Sequence, residues 1–230
     1  DEPLYRDLLV SALVSRVPDV VVTGSFGRAQ EVRGAAGKLR ADVLLADIDV
    51  DGDVDIYVAN DTTDNFLYVN DGRARFEENG LVSGTALDDQ GVPNGSMGID
   101  LCDFNRDGLP DLWVTNFERE WFALYRNEGR GNFLHVSRRY GITDIGGLFV
   151  GFGTVCDDFD ADGLVDIAAT DGHVVKFPDA SPLLQDPLYL HFDGERFRAR
   201  AAVGDRRMNT VGGENPVGGT GQSRHTARRF

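Results

Sequence analysis

The sequence predicts an all-β protein built of β-propeller-type blades, each made of four antiparallel strands. Three observations carry that expectation. One acidic nonapeptide recurs as Asp47–Asp55, Asp103–Asp111 and Asp158–Asp166, with starts 56 and 55 residues apart, and a fixed period of this size marks a repeat architecture. Each copy runs into a β-branched or aromatic stretch, Asp-Ile-Tyr-Val-Ala, Asp-Leu-Trp-Val-Thr and Asp-Ile-Ala-Ala-Thr, which is strand composition. Tyr68, Tyr125 and Tyr189 are each followed eight residues later by a phenylalanine, Phe76, Phe133 and Phe197. A turn such as Asn70-Asp71-Gly72 lies between, and such a turn closes a hairpin because type I′ geometry needs positive φ.

Taken in order, residues 1–40 carry the weakest pattern. Pro3–Arg6 resembles the later Leu124–Asn127, so this stretch is expected to hold degenerate strands of a preceding blade, with a short helix over Leu8–Val14 as the alternative. Three repeats follow, over 41–96, 97–149 and 150–202. The first has strands at Val43–Ala46, Ile56–Ala59 and Phe66–Val69 and a fourth from Phe76. The second has Leu112–Thr115, Ala123–Arg126 and Phe133–Val136; the third has Ile167–Thr170, Leu188–Leu190 and Phe197. The third repeat carries about ten extra residues between its second and third strands, around Asp171–Pro178. Residues 203–230, with Gly212, Gly213, Gly218 and Gly219 and a basic end at Arg224, Arg228 and Arg229, are expected to be a flexible tail.

The nonapeptide is the chemical centre of each repeat. Oxygen-bearing side chains stand at positions 1, 3, 5 and 9, and glycine stands at 6. A hard cation such as Ca²⁺ takes about six to eight oxygen ligands, which a tight acidic loop supplies from alternate positions around a sharp turn. The expected ligands of three Ca²⁺ ions are Asp47, Asp49, Asp51, Asp53 and Asp55; Asp103, Asn105, Asp107, Leu109 and Asp111; and Asp158, Asp160, Asp162, Leu164 and Asp166. Position 7 (Asp53, Leu109, Leu164) contributes only its backbone carbonyl. An EF-hand is excluded on two counts. Its bidentate Glu at position 12 is replaced by Val58, Val114 and Ala169, and its helical flanks are replaced by strands.

The bulk numbers fit this assignment. A chain of 230 residues with formal charge −15 is a poor partner for nucleic acid or an anionic membrane, and three divalent ions would offset six of those charges. No apolar run is long enough to span a bilayer, so no membrane insertion is expected. No signal peptide is visible, and a start at Asp1 fits the expectation of a processed or trimmed chain. The two cysteines, Cys102 and Cys156, precede their loops by one and two residues. That offset puts them on opposite faces of equivalent strands, so buried free thiols are expected.

The chain resembles the FG-GAP/VCBS repeats of integrin α-subunit propellers and of proteins that also carry ASPIC/UnbV domains. The resemblance rests on Phe152-Gly153 ahead of Asp158, on the three acidic loops, and on Leu-Tyr-x-Asn-x-Gly in Leu67–Gly72 and Leu124–Gly129. It implies a propeller fold with calcium between the first and second strands of each blade, and a secreted, periplasmic or cell-surface location. The chain departs from the pattern at Ala41-Asp42 and Met97-Gly98, which stand where the Phe-Gly pair is expected, and at His191, read as the replacement of the hairpin asparagine together with one added residue. Three repeats are fewer than the four to eight blades of a closed ring. Either the ends supply a further blade or the chain is an arc of a larger propeller, and open strand edges would then favour self-association.

An enzyme is not expected. His135, His173, His191 and His225 form no metal-binding spacing, and no nucleophile elbow or phosphate loop is present. The expected function is that of a calcium-binding extracellular module for protein or glycan adhesion. The alternative is an accessory propeller or fragment of a larger secreted enzyme such as a polysaccharide lyase. Loops on a rigid scaffold carry binding, so ligand contact is assigned to His173, Lys176 and Phe177 in the long third-repeat loop.

Overall fold

A computed structural model of the chain describes residues 43–145, 147–173 and 182–200. The expectations for residues 1–40 and 203–230, and for Lys176 and Phe177, lie outside these residues. The described chain forms three separate four-stranded antiparallel sheets, each with its strands in sequence order. The first holds β1 (Val43–Ala46), β2 (Asp55–Val58), β3 (Phe66–Asn70) and β4 (Phe76–Glu78). The second holds β5 (Ser96–Cys102), β6 (Asp111–Asn116), β7 (Ala123–Gly129) and β8 (Asn132–His135). The third holds β9 (Gly151–Asp157), β10 (Asp166–Asp171), β11 (Leu188–Phe192) and β12 (Phe197–Arg200). A one-turn helix, α1 (Gly80–Ser83), and a 3₁₀ turn (Ile142–Ile145) join the sheets.

The sheets pack face to face through two apolar interfaces. In a strand successive side chains point to opposite faces, and β6 uses both. Leu112 and Val114 face the first sheet, where they meet Tyr57, Leu67 and Ile48. Trp113 faces the third sheet, where Leu188, Leu190 and Phe192 lie. Every residue of β6 is buried. Strand β6 is therefore the axis of the described fold, and its unbroken apolar run follows from having a sheet on either side.

Repeat three corrects the sequence reading. Ile56 pairs with Tyr68 and Leu112 with Tyr125, but Ile167 pairs with Leu190. Tyr189 therefore lies one position early, and Phe192, not His191, occupies the place of Asn70 and Asn127. The pairings Asn70–Phe76, Asn127–Phe133 and Phe192–Phe197 confirm it. The third hairpin is one residue shorter, where an added residue was expected. The constant Tyr-to-Phe spacing had concealed this shift.

The cysteines are free thiols as expected, but they are not kept apart. Both are free and partly buried, and their offset brings them together. Sheets stacked face to face present opposite faces to one another, so a thiol on one face of β5 meets a thiol on the other face of β9. The Cys156 thiol lies within hydrogen-bonding reach of Cys102, and burial first, then that neighbour, holds its pKa well above the ordinary value.

Candidate metal loops

Each acidic nonapeptide links the first strand of its sheet to the second, and all three adopt one backbone form. Position 4 takes a left-handed conformation without being glycine, with φ of 66° at Val50, 62° at Arg106 and 60° at Ala161. Position 6 follows with φ of 100°, 89° and 86° at Gly52, Gly108 and Gly163, where a Cβ would be strained. The carboxylate at position 1 organises the turn. Asp47 accepts from the amides of Asp51 (3.0 Å) and Gly52 (3.1 Å), Asp103 from Asp107 (3.0 Å) and Gly108 (2.9 Å), and Asp158 from Asp162 (3.1 Å) and Gly163 (2.8 Å). At position 3, Asp49, Asn105 and Asp160 each accept from the position-5 amide at 3.0 to 3.2 Å.

These bonds crowd oxygens together. One ligand atom from each of Asp47, Asp49 and Asp55 lies within 4.8 Å of the others, and the same holds for Asp158, Asp160 and Asp162. In the second loop Asn105 stands at position 3 and donates through Nδ2 to Asp107 at 2.8 Å. Within the nonapeptides the donor set is oxygen throughout, which suits a hard divalent cation. The carboxylates carry the cost of this crowding. Asp49 is pushed up to about 6, by burial first and then by Asp55 and Asp51. Burial pushes Asp111 up to about 7, against the two amides that bond it, and pushes Asp55 up as well.

Position 9 ties each loop to its sheet. Asp55 is fully buried; its Oδ2 accepts the Ile48 amide at 2.9 Å and its Oδ1 the Asn70 amide at 2.9 Å. Asp111 accepts the Phe104 amide at 3.1 Å and the Asn127 amide at 2.8 Å. In the third loop Asp166 accepts the Phe192 amide at 3.1 Å, but its other oxygen takes the Tyr189 hydroxyl at 2.6 Å. His191 Nδ1 stands 3.1 Å from Asp166 and 3.3 Å from Asp160. Asp160, Asp166 and His191 thus form a third cluster of metal-ligating atoms, and the sequence reading did not place His191 among ligands.

The sequence reading also missed position 2. Ile48 and Phe104 are each 1% exposed and plug the first and second interfaces, whereas Phe159 is 47% exposed. Phe104 sets its ring edge-on to Tyr140 at 4.8 Å and to Phe192 at 5.8 Å. The Ile48 carbonyl accepts Asn127 Nδ2 from the neighbouring sheet at 3.0 Å. A constant apolar residue between two oxygen-bearing side chains was the available signal.

The far ends of the sheets carry the other assigned group. His173 follows β10 and is buried against Phe117, with its Nε2 3.4 Å from Glu118 Oε1. Nearby a chain of buried amides and hydroxyls joins the first two sheets. Asn65 Nδ2 donates to Ser96 Oγ (3.1 Å), and Ser96 Oγ donates to Asn116 Oδ1 (3.0 Å). Trp121, half-buried, lies under the Arg138 guanidinium at 5.5 Å.

A family model described as FG-GAP-like repeat matches residues 47–114 and 103–169, which together span more than half of the chain. No curated protein matches it.

Proposed function

Because this chain belongs to the FG-GAP-like repeat family, we propose that it is a calcium-stabilised, propeller-type module that docks a protein or a glycan outside the cell. The observation that carries the calcium assignment is the convergence of oxygen ligands in loops of one backbone form. The ion at each loop takes side-chain oxygens from positions 1, 3, 5 and 9 and the carbonyl of position 7, among them Asp51, Asp53, Asp107, Leu109, Asp162 and Leu164. Membership of the family fits a module without catalysis of its own. Among the described residues no helix is long and apolar enough to cross a membrane. The repeats 41–96, 97–149 and 150–202 are read as blades, with 1–40 as strands of a preceding one and 203–230 as a tail.

The mechanism is mechanical. In the first and second loops position 9 and position 2 are joined by a hydrogen bond, and position 2 plugs the neighbouring interface. An ion that fixes the loop therefore fixes the stacking of sheets, and with it the loops at the far ends. We assign ligand contact to that far end, through His173, Lys176 and Phe177. The support is the insertion after β10 and the position of His173 beside Phe117 and Glu118.

Calorimetry of metal-stripped protein with Ca²⁺ should count three ions, and Asp51→Ala and Asp107→Ala should each remove one. At about a hundredfold excess over its dissociation constant one site adds about 2.7 kcal/mol, so EDTA should lower the melting midpoint by many degrees. A midpoint indifferent to EDTA would sink the calcium assignment. A glycan and secreted-protein array, read with Ca²⁺ and with EDTA, tests the docking assignment; Lys176→Ala and Phe177→Ala should weaken any hit.

A further inference from the structure

Cys102 and Cys156 are the only two cysteines of the chain, 54 residues apart in sequence, and they meet at the interface of the second and third sheets. Three contacts hold β9 against the second sheet there, two from β5 and one from β6. A Cβ on Gly98 would collide with the Phe152 carbonyl oxygen, so the two backbones touch. Trp113 Nε1 donates to Thr154 Oγ1 at 2.9 Å. The Cys156 amide donates to Asp100 Oδ2 at 2.7 Å. Asp100 and Cys102 are two apart on one strand and so share a face, which aims the Cys102 side chain at the strand that carries Cys156. Both cysteines are partly buried and pack on the same apolar cluster.

We propose that Cys102 and Cys156 form a structural disulfide that covalently staples the second sheet to the third, immediately behind their metal loops. The proposal rests on the reading above only for its setting, since disulfides persist in oxidising compartments outside the cytosol; the chemistry needs no metal. The oxidant is a low-molecular-weight disulfide such as oxidised glutathione. One cysteine thiolate attacks it and releases one glutathione thiolate, leaving a mixed disulfide. The second cysteine thiolate attacks the protein sulfur of that mixed disulfide and releases the other. Two electrons pass from the protein thiols to the oxidant, and the two protons end on the released glutathiones.

The test uses the full chain, purified reduced and then equilibrated with oxidised glutathione, once with EDTA and once with Ca²⁺. Thiol titration in denaturant should fall from two groups to none. The intact mass should fall by about two hydrogens, with one cross-linked peptide pair in the digest. The bridge restrains the unfolded chain, so the melting midpoint should rise by several degrees, and dithiothreitol should reverse the rise. Cys102→Ser and Cys156→Ser should show neither the mass change nor the rise. Two thiols persisting, glutathione adducts on separate cysteines, or disulfide-linked dimers would each overturn the proposal. None of these outcomes bears on whether EDTA lowers the midpoint, so the two readings fail separately.

Discussion

Trp113 and Gly98 show how single side chains, or the lack of one, set the spacing of the sheets. Trp113 is fully buried, edge-on to Phe122 at 5.7 Å, and its indole N–H is satisfied by Thr154 across the interface. Trp113→Ala leaves a cavity with no backbone free to close it and should cost about 3–5 kcal/mol, read from denaturant midpoints with Ca²⁺ present. Gly98 has its amide bonded to Thr115 Oγ1 at 2.9 Å and the Phe152 carbonyl where a Cβ would be. Gly98→Ala must push β5 and β9 apart, and a loss of about 2 kcal/mol or more is expected. Wild-type stability in that variant would mean that the inner strands are not in contact. The neighbouring Gly151 is as confined, against Phe122 Cζ and Thr115 Cβ at 2.6 Å each. The Phe-Gly motif read in the sequence therefore has a physical basis. At Met97-Gly98, where the phenylalanine is missing, the glycine that keeps its place is what lets β5 and β9 touch.

At the scale of elements, some loop ligands serve the ion alone and others also brace the sheet. Asp107 is exposed and bonds only within its own loop, whereas Asp111 is buried and bonds two amides, of Phe104 and Asn127, that have no water to turn to. Asp111→Ala should thus destabilise the protein even in EDTA, by roughly 1–3 kcal/mol for each amide left unsatisfied. Asp107→Ala in EDTA should be near neutral and should act only when Ca²⁺ is added. Equal effects of the two variants in EDTA would contradict this division. The loops and most strands were legible in advance because acidic alternation and period-two patterning report local chemistry. The observed β1 at Val43–Ala46 coincides with its expected range, and β2, β6 and β10 start at the position-9 Asp, one residue ahead of the expected Ile56, Leu112 and Ile167. Register was not legible in the third repeat, because a strand shifted by one residue can keep the same Tyr-to-Phe spacing. The thiol pair was missed for a different reason. Strand alternation gives the face of a side chain within its own sheet, and only the stacking of sheets says what that face meets.

For the whole molecule, the raised carboxylate pKa values make stability depend on pH in opposite senses with and without metal. Burial is the largest cause for Asp49 and Asp100, pushed up to about 6, and for Asp111 and Asp171, pushed up to about 7. Asp55 and Glu120 move the same way. In the unfolded chain these groups titrate near about 4. Between that value and about 7 the folded state holds protons that the unfolded state has released, so stability falls as pH rises. Burial pushes His135 down, and that one group works in the other direction below about pH 6.5. With six acids against one histidine, the metal-free protein should melt higher at pH 5 than at pH 7.5. Calcium inverts this, because Asp49, Asp55 and Asp111 must be ionised to serve as ligands and protons compete for them. In millimolar Ca²⁺ the melting midpoint should therefore rise with pH over the same range, and the two curves should diverge most above pH 7. Midpoints measured across that range in EDTA and in Ca²⁺ decide the matter. Parallel curves would mean that calcium does not compete with protons for these carboxylates, and so that the loops do not hold the ion when it is supplied.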